Sequence, residues 1–193
     1  MKNKRTIGQL IVCFYFLEGV SFMDIKVMYD EETIDKRLKE MAEQIDKDYV
    51  NEEIVAIFIL RGAVYFATDL TKKMKTPMVI DFIKCESYVG TESSGKINLI
   101  LDNREHLEGK NVVIFEDIID TGYTLKYLKD YILFQNPKSL KIAVMLDKKE
   151  RRKVELEADY VGFEIPNKFV VGYGLDGGGN LYRNLPYVGY FEE

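Results

Sequence analysis

Three carboxylates crowd one short stretch of this chain. In VVIFEDIIDTGYTL, residues 112–125, an apolar run is followed by Glu116 and Asp117, and Asp120 leads the polar sequence Thr121, Gly122, Tyr123, Thr124. The pattern predicts a buried strand ending in two acids, a tight loop over 120–124, and a helix over about 123–134. Ligands of open α/β sheets bind beyond the carboxyl ends of strands. A helix start offers unpaired N–H groups and partial positive charge, which suit a phosphate. Gly122 lets the backbone come close, and Thr121 and Thr124 add hydroxyl donors. Helix capping explains one or two acids near such a turn, not three. A ribose cis-diol, which donates hydrogen bonds, and Mg²⁺, which brings charge, are both suitable neighbours for Glu116 and Asp117.

The surrounding elements are built to hold such a loop. Residues 30–48 carry Ile34, Leu38, Met41, Ala42 and Ile45 at helical spacing behind Asp30 as a cap. Ile54 to Leu60 is a continuous apolar run ending at Arg61-Gly62, as expected for a strand buried on both faces. A helix over 64–74, strands over Met78–Ile83 and Lys96–Asp102, and a further strand over Leu140–Leu146 complete an alternating series. This predicts an α/β fold with a mostly parallel central sheet flanked by helices. Residues 87–96 are small and polar and read as a loop. The stretch 159–193 carries glycines, prolines and aromatics without helical period, and reads as a small separate C-terminal lobe of strands and loops.

The bulk composition narrows the function classes. With 27 Lys and Arg against 32 Asp and Glu, the net charge is −5. A general nucleic-acid or membrane-surface binder would carry a basic excess. The only histidine is His106, in a polar connection, so triad and zinc chemistry are poorly served. Two isolated cysteines, Cys13 and Cys85, suggest a reducing cytoplasm rather than a disulfide framework. Residues 1–22 start basic and turn apolar, but Glu18 interrupts the run and no small-residue cleavage site follows. They read as an extension, disordered or from an upstream start codon, ahead of a domain over 23–193; the run is too short to span a bilayer. Two phosphate-loop patterns are decoys. Gly90 to Lys96 fits GxxxxGK, but Ile97 replaces the required hydroxyl residue. Gly172 to Gly177 fits GxGxxG, but too little chain follows for a dinucleotide-binding unit.

The segment 112–125 resembles the diphosphate-sugar signature of type I phosphoribosyltransferases. Asp120, a third acid, is similar to the base-position acid of their 6-oxopurine (hypoxanthine-guanine) branch. LRGAVYFATDL (60–70) resembles the pyrophosphate loop, SYVGTESSGKI (87–97) the mobile lid, and LDKK (146–149) with VGFEIPNKFVVGYGLD (161–176) the purine-binding elements. The resemblance runs from about Met23 to the C-terminus. It implies the type I fold with a C-terminal hood, and transfer of phosphoribose from 5-phosphoribosyl-1-diphosphate to a 6-oxopurine, with Mg²⁺. It implies roles residue by residue. Glu116 and Asp117 hold ribose and metal, 120–124 cradle the 5′-phosphate, and Asp120 also takes the purine proton. Arg61, Gly62 and Arg183 meet pyrophosphate. Ser87 and Tyr88 begin the lid. Lys148 donates to purine O6, Phe169 stacks on the base, the Val170 backbone reads its other edge, and Asp176 ligates a second metal. Relatives form dimers and tetramers, so a homodimer or homotetramer is implied. The chain departs from the pattern after Asp176. Gly177-Gly178-Gly179-Asn180 stands where an aromatic and a short polar stretch are usual, and Arg183 lies one residue further along. Three glycines predict a loose loop there. The rival reading is a regulatory nucleic-acid-binding protein on the same fold; such proteins carry a basic face and lose the base-position acid, which this chain keeps.

Overall fold

A computed structural model describes residues 25–87 and 97–192. The extension expected over 1–22 lies outside the described residues, and so does most of the expected lid.

Six strands form the central sheet: β2 (Ile54–Leu60), β3 (Met78–Ser87), β4 (Ile97–Leu101), β5 (Asn111–Ile119), β6 (Ser139–Asp147) and β7 (Tyr160–Glu164), in the order β4-β3-β2-β5-β6-β7. Every pairing is parallel except β3 with β4. Strand alternation builds the two layers. Ile54, Ala56 and Phe58 of β2 pack with helices α1 (Glu31–Asp48) and α2 (Val64–Thr71), whereas Val55, Ile57 and Ile59 pack with α3 (Tyr123–Leu133). Both faces of β2 and β5 are covered, which is why these strands read as unbroken apolar runs.

α1 starts where Asp30 caps it, its Oδ1 accepting the Thr33 N–H at 2.9 Å. Ile34, Leu38, Met41, Ala42 and Ile45 form its buried stripe, as their spacing predicts. α2 stops at Thr71, three residues before the expected end.

The lobe differs from expectation at both ends of the chain. A second, three-stranded antiparallel sheet joins β1 (Ile25–Tyr29), β9 (Val188–Phe191) and β8 (Val170–Val171), in that order. β1 is a strand that the sequence pattern did not reveal, and it completes the hood from the opposite end of the chain. Conversely, Tyr160–Glu164 belongs to the central sheet and not to the lobe, so 159–193 is not a single separate unit. Arg37 on α1 ties that edge strand down, donating to the carbonyls of Gly162 at 2.9 Å and Val161 at 2.7 Å. Val170, Tyr173, Leu175 and Val188 of the hood share the core cluster of α1 and α2, so hood and sheet are one packed body.

Candidate functional site

β5 runs two residues past the expected end, so Glu116 and Asp117 lie inside the strand and Asp120 just beyond it. The strand alternation slips at this pair. Val113 and Phe115 pack toward α1 and α2, Val112 and Ile114 toward α3, yet Ile118 joins the first group and Ile119 the second. The carboxylates themselves take up the local N–H groups: Glu116 Oε1 accepts from Asp117 N at 3.0 Å, and Asp117 Oδ1 from Ile118 N at 2.8 Å. Glu116 is buried. Burial, with Asp117 beside it, pushes its carboxyl well above the usual range. Among the described residues no lysine or arginine forms an ion pair with either acid. Two hard oxygen donors without a protein cation fit a divalent metal or ribose hydroxyls.

The loop after β5 has the form a phosphate needs. Gly122 sits at φ +85°, in the left-handed region, and precedes the first turn of α3. It has no side chain to occupy the N–H groups of that turn, and no acid stands there to repel an anion. Beneath it, a Cβ at 122 would meet Arg152 Cδ and Val154 Cγ2, both at 2.9 Å. Arg152 is itself anchored to the wholly buried Asp147 and to the Leu156 carbonyl. The Thr121 carbonyl accepts the Lys153 N–H at 2.9 Å, so the cradle rests on 147–156 from below.

Opposite Asp117 stands the turn between β2 and α2. A Cβ on Gly62 would fall 1.6 Å from Asp117 Oδ2, and a Cβ on Gly174 would fall 2.0 Å from the Gly62 carbonyl. The Asp117 carboxylate therefore packs against the turn after β2, and the backbone of that turn packs against the backbone of the hood. The Leu60–Arg61 peptide in this turn is cis. Arg61 Nη1 reaches across to Asn180 Oδ1 at 3.1 Å.

Two cations attend Asp120. Arg151 Nε lies 2.6 Å from its Oδ1, and Lys148 Nζ 4.0 Å from its Oδ2. Lys148 is only 6% exposed. Burial pulls its ammonium below the usual lysine range, with Asp120 opposing that effect. A buried donor beside a half-exposed acid is an arrangement that can read one edge of a flat polar ligand and accept a proton from it.

A family model for the phosphoribosyl transferase domain matches residues 25–177. The chain belongs to that family. It is 46% identical over 169 residues to the hypoxanthine-guanine phosphoribosyltransferase of Streptococcus pyogenes, covering 87% of this chain and 93% of that protein. It is also 46% identical over 171 residues to that of Aquifex aeolicus, covering 88% and 96%. Among solved structures, a hypoxanthine-guanine phosphoribosyltransferase from Bacillus anthracis superposes with a TM-score of 0.83 at 47% identity, covering 88% of this chain and all of that one. The α/β fold with its mostly parallel sheet is that of the type I phosphoribosyltransferases.

Within this phosphoribosyltransferase, Glu116, Asp117, Asp120, Thr121, Gly122, Tyr123 and Thr124 lie on one strand end and its following turn, and Gly62 and Lys148 border them. Phe169 and Val170 come from the hood; Phe169 is 62% exposed and lies parallel to Phe191, with centroids 6.4 Å apart. Asp176 is already engaged, through Gly178 N–H at 2.9 Å and Arg183 at 3.3 Å, so it fits a metal less readily than the first pair. Ser87 ends β3, and Tyr88 with the rest of the expected lid lies outside the described residues. The loop after Asp176 is a hydrogen-bonded turn. Gly178, Gly179 and Asn180 take positive φ, and Gly177 N–H to the Leu181 carbonyl at 3.1 Å and Leu181 N–H to that of Gly178 at 3.2 Å close it. His106 is exposed, 3.4 Å from Glu108, as its polar setting suggests. The sequence reading missed Arg151, Asn180 and the close approach at Gly174.

A separate cavity of about 760 Å³ opens between the N-terminus of α1, α2 and the hood, lined by Asp30, Asp35, Asp69, Tyr65 and Tyr173 among others. None of the assembled acids or Lys148 lines it. Asp120 and Lys148 converge instead at the end of β5.

Proposed function

We propose that this phosphoribosyltransferase acts in purine salvage, transferring phosphoribose from 5-phosphoribosyl-1-diphosphate to hypoxanthine or guanine to give IMP or GMP and pyrophosphate. The observation that carries the reading is the pairing of Asp120 with the buried Lys148 at the mouth of the phosphate cradle. Relatives named for this activity, at 46% identity, support it.

The reaction forms a bond from purine N9 to C1 of the sugar as the bond from C1 to pyrophosphate breaks, through an oxocarbenium-like state. The protein's work is to align two substrates, stabilise charge and exclude water. The N–H groups opening α3, with Thr121 and Thr124, bind the 5′-phosphate. Glu116 and Asp117 hold the ribose hydroxyls and would hold Mg²⁺, which when bound supplies positive charge against the leaving pyrophosphate. Arg61 and Arg183 add cationic charge on the same side. Asp120 accepts the proton leaving purine N7, and Lys148 donates to O6. An adenine amine at that position is itself a donor, so it would leave Lys148 unpaired. Asp176 would contribute to a second metal site once its contact with Arg183 opens.

We also place the enzyme in the cytoplasm as a homodimer or homotetramer. Val79, Ile80, Phe82, Ile100 and Leu101 along β3 and β4 leave apolar surface that a second copy would cover. No helix among the described residues is long and apolar enough to cross a membrane.

A steady-state assay with the sugar diphosphate, Mg²⁺ and each of hypoxanthine, guanine, xanthine and adenine tests the proposal. Nucleotide should form from oxopurines and not from adenine; turnover of adenine alone, or of no base, would sink it. In the same assay Lys148→Met should lower kcat/KM for hypoxanthine about 10- to 50-fold, the worth of one charge-assisted hydrogen bond. Phe169→Ala should raise the hypoxanthine KM about tenfold, as loss of one stacked ring implies, with the sugar-diphosphate KM within about twofold of wild type.

A further inference from the structure

Asn180 occupies the left-handed region at φ +65°, at the end of the glycine turn, and is exposed. Its single Oδ1 accepts from two guanidinium groups, Arg61 Nη1 at 3.1 Å and Arg183 Nη2 at 3.5 Å. The two arginines are 122 residues apart in sequence, one in the turn after β2 and the other in the hood that packs against it. Arg183 is further held by the Gly174 carbonyl at 2.5 Å and by Asp176 at 3.3 Å. Arg61 forms no ion pair with a carboxylate among the described residues. Two like charges drawn to one neutral oxygen repel each other. A carboxylate there would be the stronger acceptor, but it would cancel the charge that an incoming anion needs.

We infer that Asn180 is a positioning residue for the diphosphate end of the sugar substrate: a neutral acceptor that orders Arg61 beside Arg183 and leaves the charge of Arg61 unneutralised. The inference rests on the reading above that these arginines meet pyrophosphate. The glycine run serves the same end. Positive φ at Gly178, Gly179 and Asn180 turns the chain so that residue 180 faces Arg61, and Leu181 closes the turn behind it.

Two substitutions test this without disturbing the backbone, because glycine and aspartate both tolerate the left-handed region. Asn180→Gly removes the acceptor. It should raise the KM for 5-phosphoribosyl-1-diphosphate about 3- to 10-fold, as one lost hydrogen bond implies, and weaken product inhibition by pyrophosphate equally. The hypoxanthine KM should stay within about twofold, because stacking and the O6 contact are made elsewhere. Asn180→Asp keeps the acceptor and adds a negative charge. It should raise the sugar-diphosphate KM at least as much as the glycine variant, which a merely structural loop contact would not do. Wild-type behaviour of the aspartate variant would overturn the neutral-acceptor role. Wild-type behaviour of both, with Arg61→Ala impaired, would overturn the inference alone. An unchanged sugar-diphosphate KM in Arg61→Ala would overturn the pyrophosphate reading, and the inference with it.

Discussion

Replacing Asp120 by asparagine should lower kcat about 100-fold while thermal stability stays near wild type. Asparagine keeps the shape and can still accept from Arg151, which sits 2.6 Å from the carboxylate in the free protein. It cannot take up a proton. General-base assistance is worth about 10²–10⁴-fold, and the low end applies where product release limits part of kcat. The side chain is half-exposed, its close partner Arg151 is solvated, and the buried Lys148 stands 4.0 Å away, so folding loses little. The measurement is a single-turnover rate alongside steady-state kcat, with a melting curve on the same sample. A variant that keeps near-normal single turnover would remove Asp120 from the proton transfer and leave it only a phosphate-loop residue.

Gly174→Ala should be the most damaging change of one methyl group. Its Cβ would lie 2.0 Å from the Gly62 carbonyl, and the site is at φ +98°. The neighbour is backbone in the turn that also touches Asp117, so it cannot move aside cheaply. Overpacking and left-handed strain together predict a loss of about 2–5 kcal/mol. For a chain of this size that is a fall in Tm of about 5–15 °C. Turnover of the folded fraction should fall as well, because relief of the clash displaces either Gly62 or the hood. A melting temperature within about 2 °C of wild type would show that Gly62 and Gly174 approach less closely than described.

The sequence was most legible where local pattern and tertiary role coincide. β2 is wholly buried between two helix layers, so its apolar run marks it without help, and its ends were read correctly. The stripe on α1 is equally plain. β1 escaped notice because IKVMY is partly exposed and its partner, β9, lies at the other end of the chain. Tyr160–Glu164 reads as part of the lobe because it precedes the glycine-rich stretch; nothing local tells a strand which sheet it will join. The acids at 116, 117 and 120 were legible because no structural need explains them together. Lys148 was not legible by itself. In LDKKERRK a lysine normally faces water, and only the fold buries this one while leaving Arg151 half-exposed on Asp120. The glycine run reads as loose from composition, and two backbone hydrogen bonds close its turn. Glycine composition reports how many conformations are accessible, not whether hydrogen bonds select one of them.

The order of synthesis follows from the hood. Its middle strand is β9, with β1 on one side and β8 on the other. β1 precedes every other described element and β9 follows every one of them. A nascent chain can therefore pair all six strands of the central sheet, and form the phosphate cradle, while β1 is still waiting for its partner. The surface that carries Phe169 and Val170 is assembled last, once residues 188–191 have been made. On the ribosome this protein would pass through a stage with the turn after β5 formed and the hood sheet not yet closed.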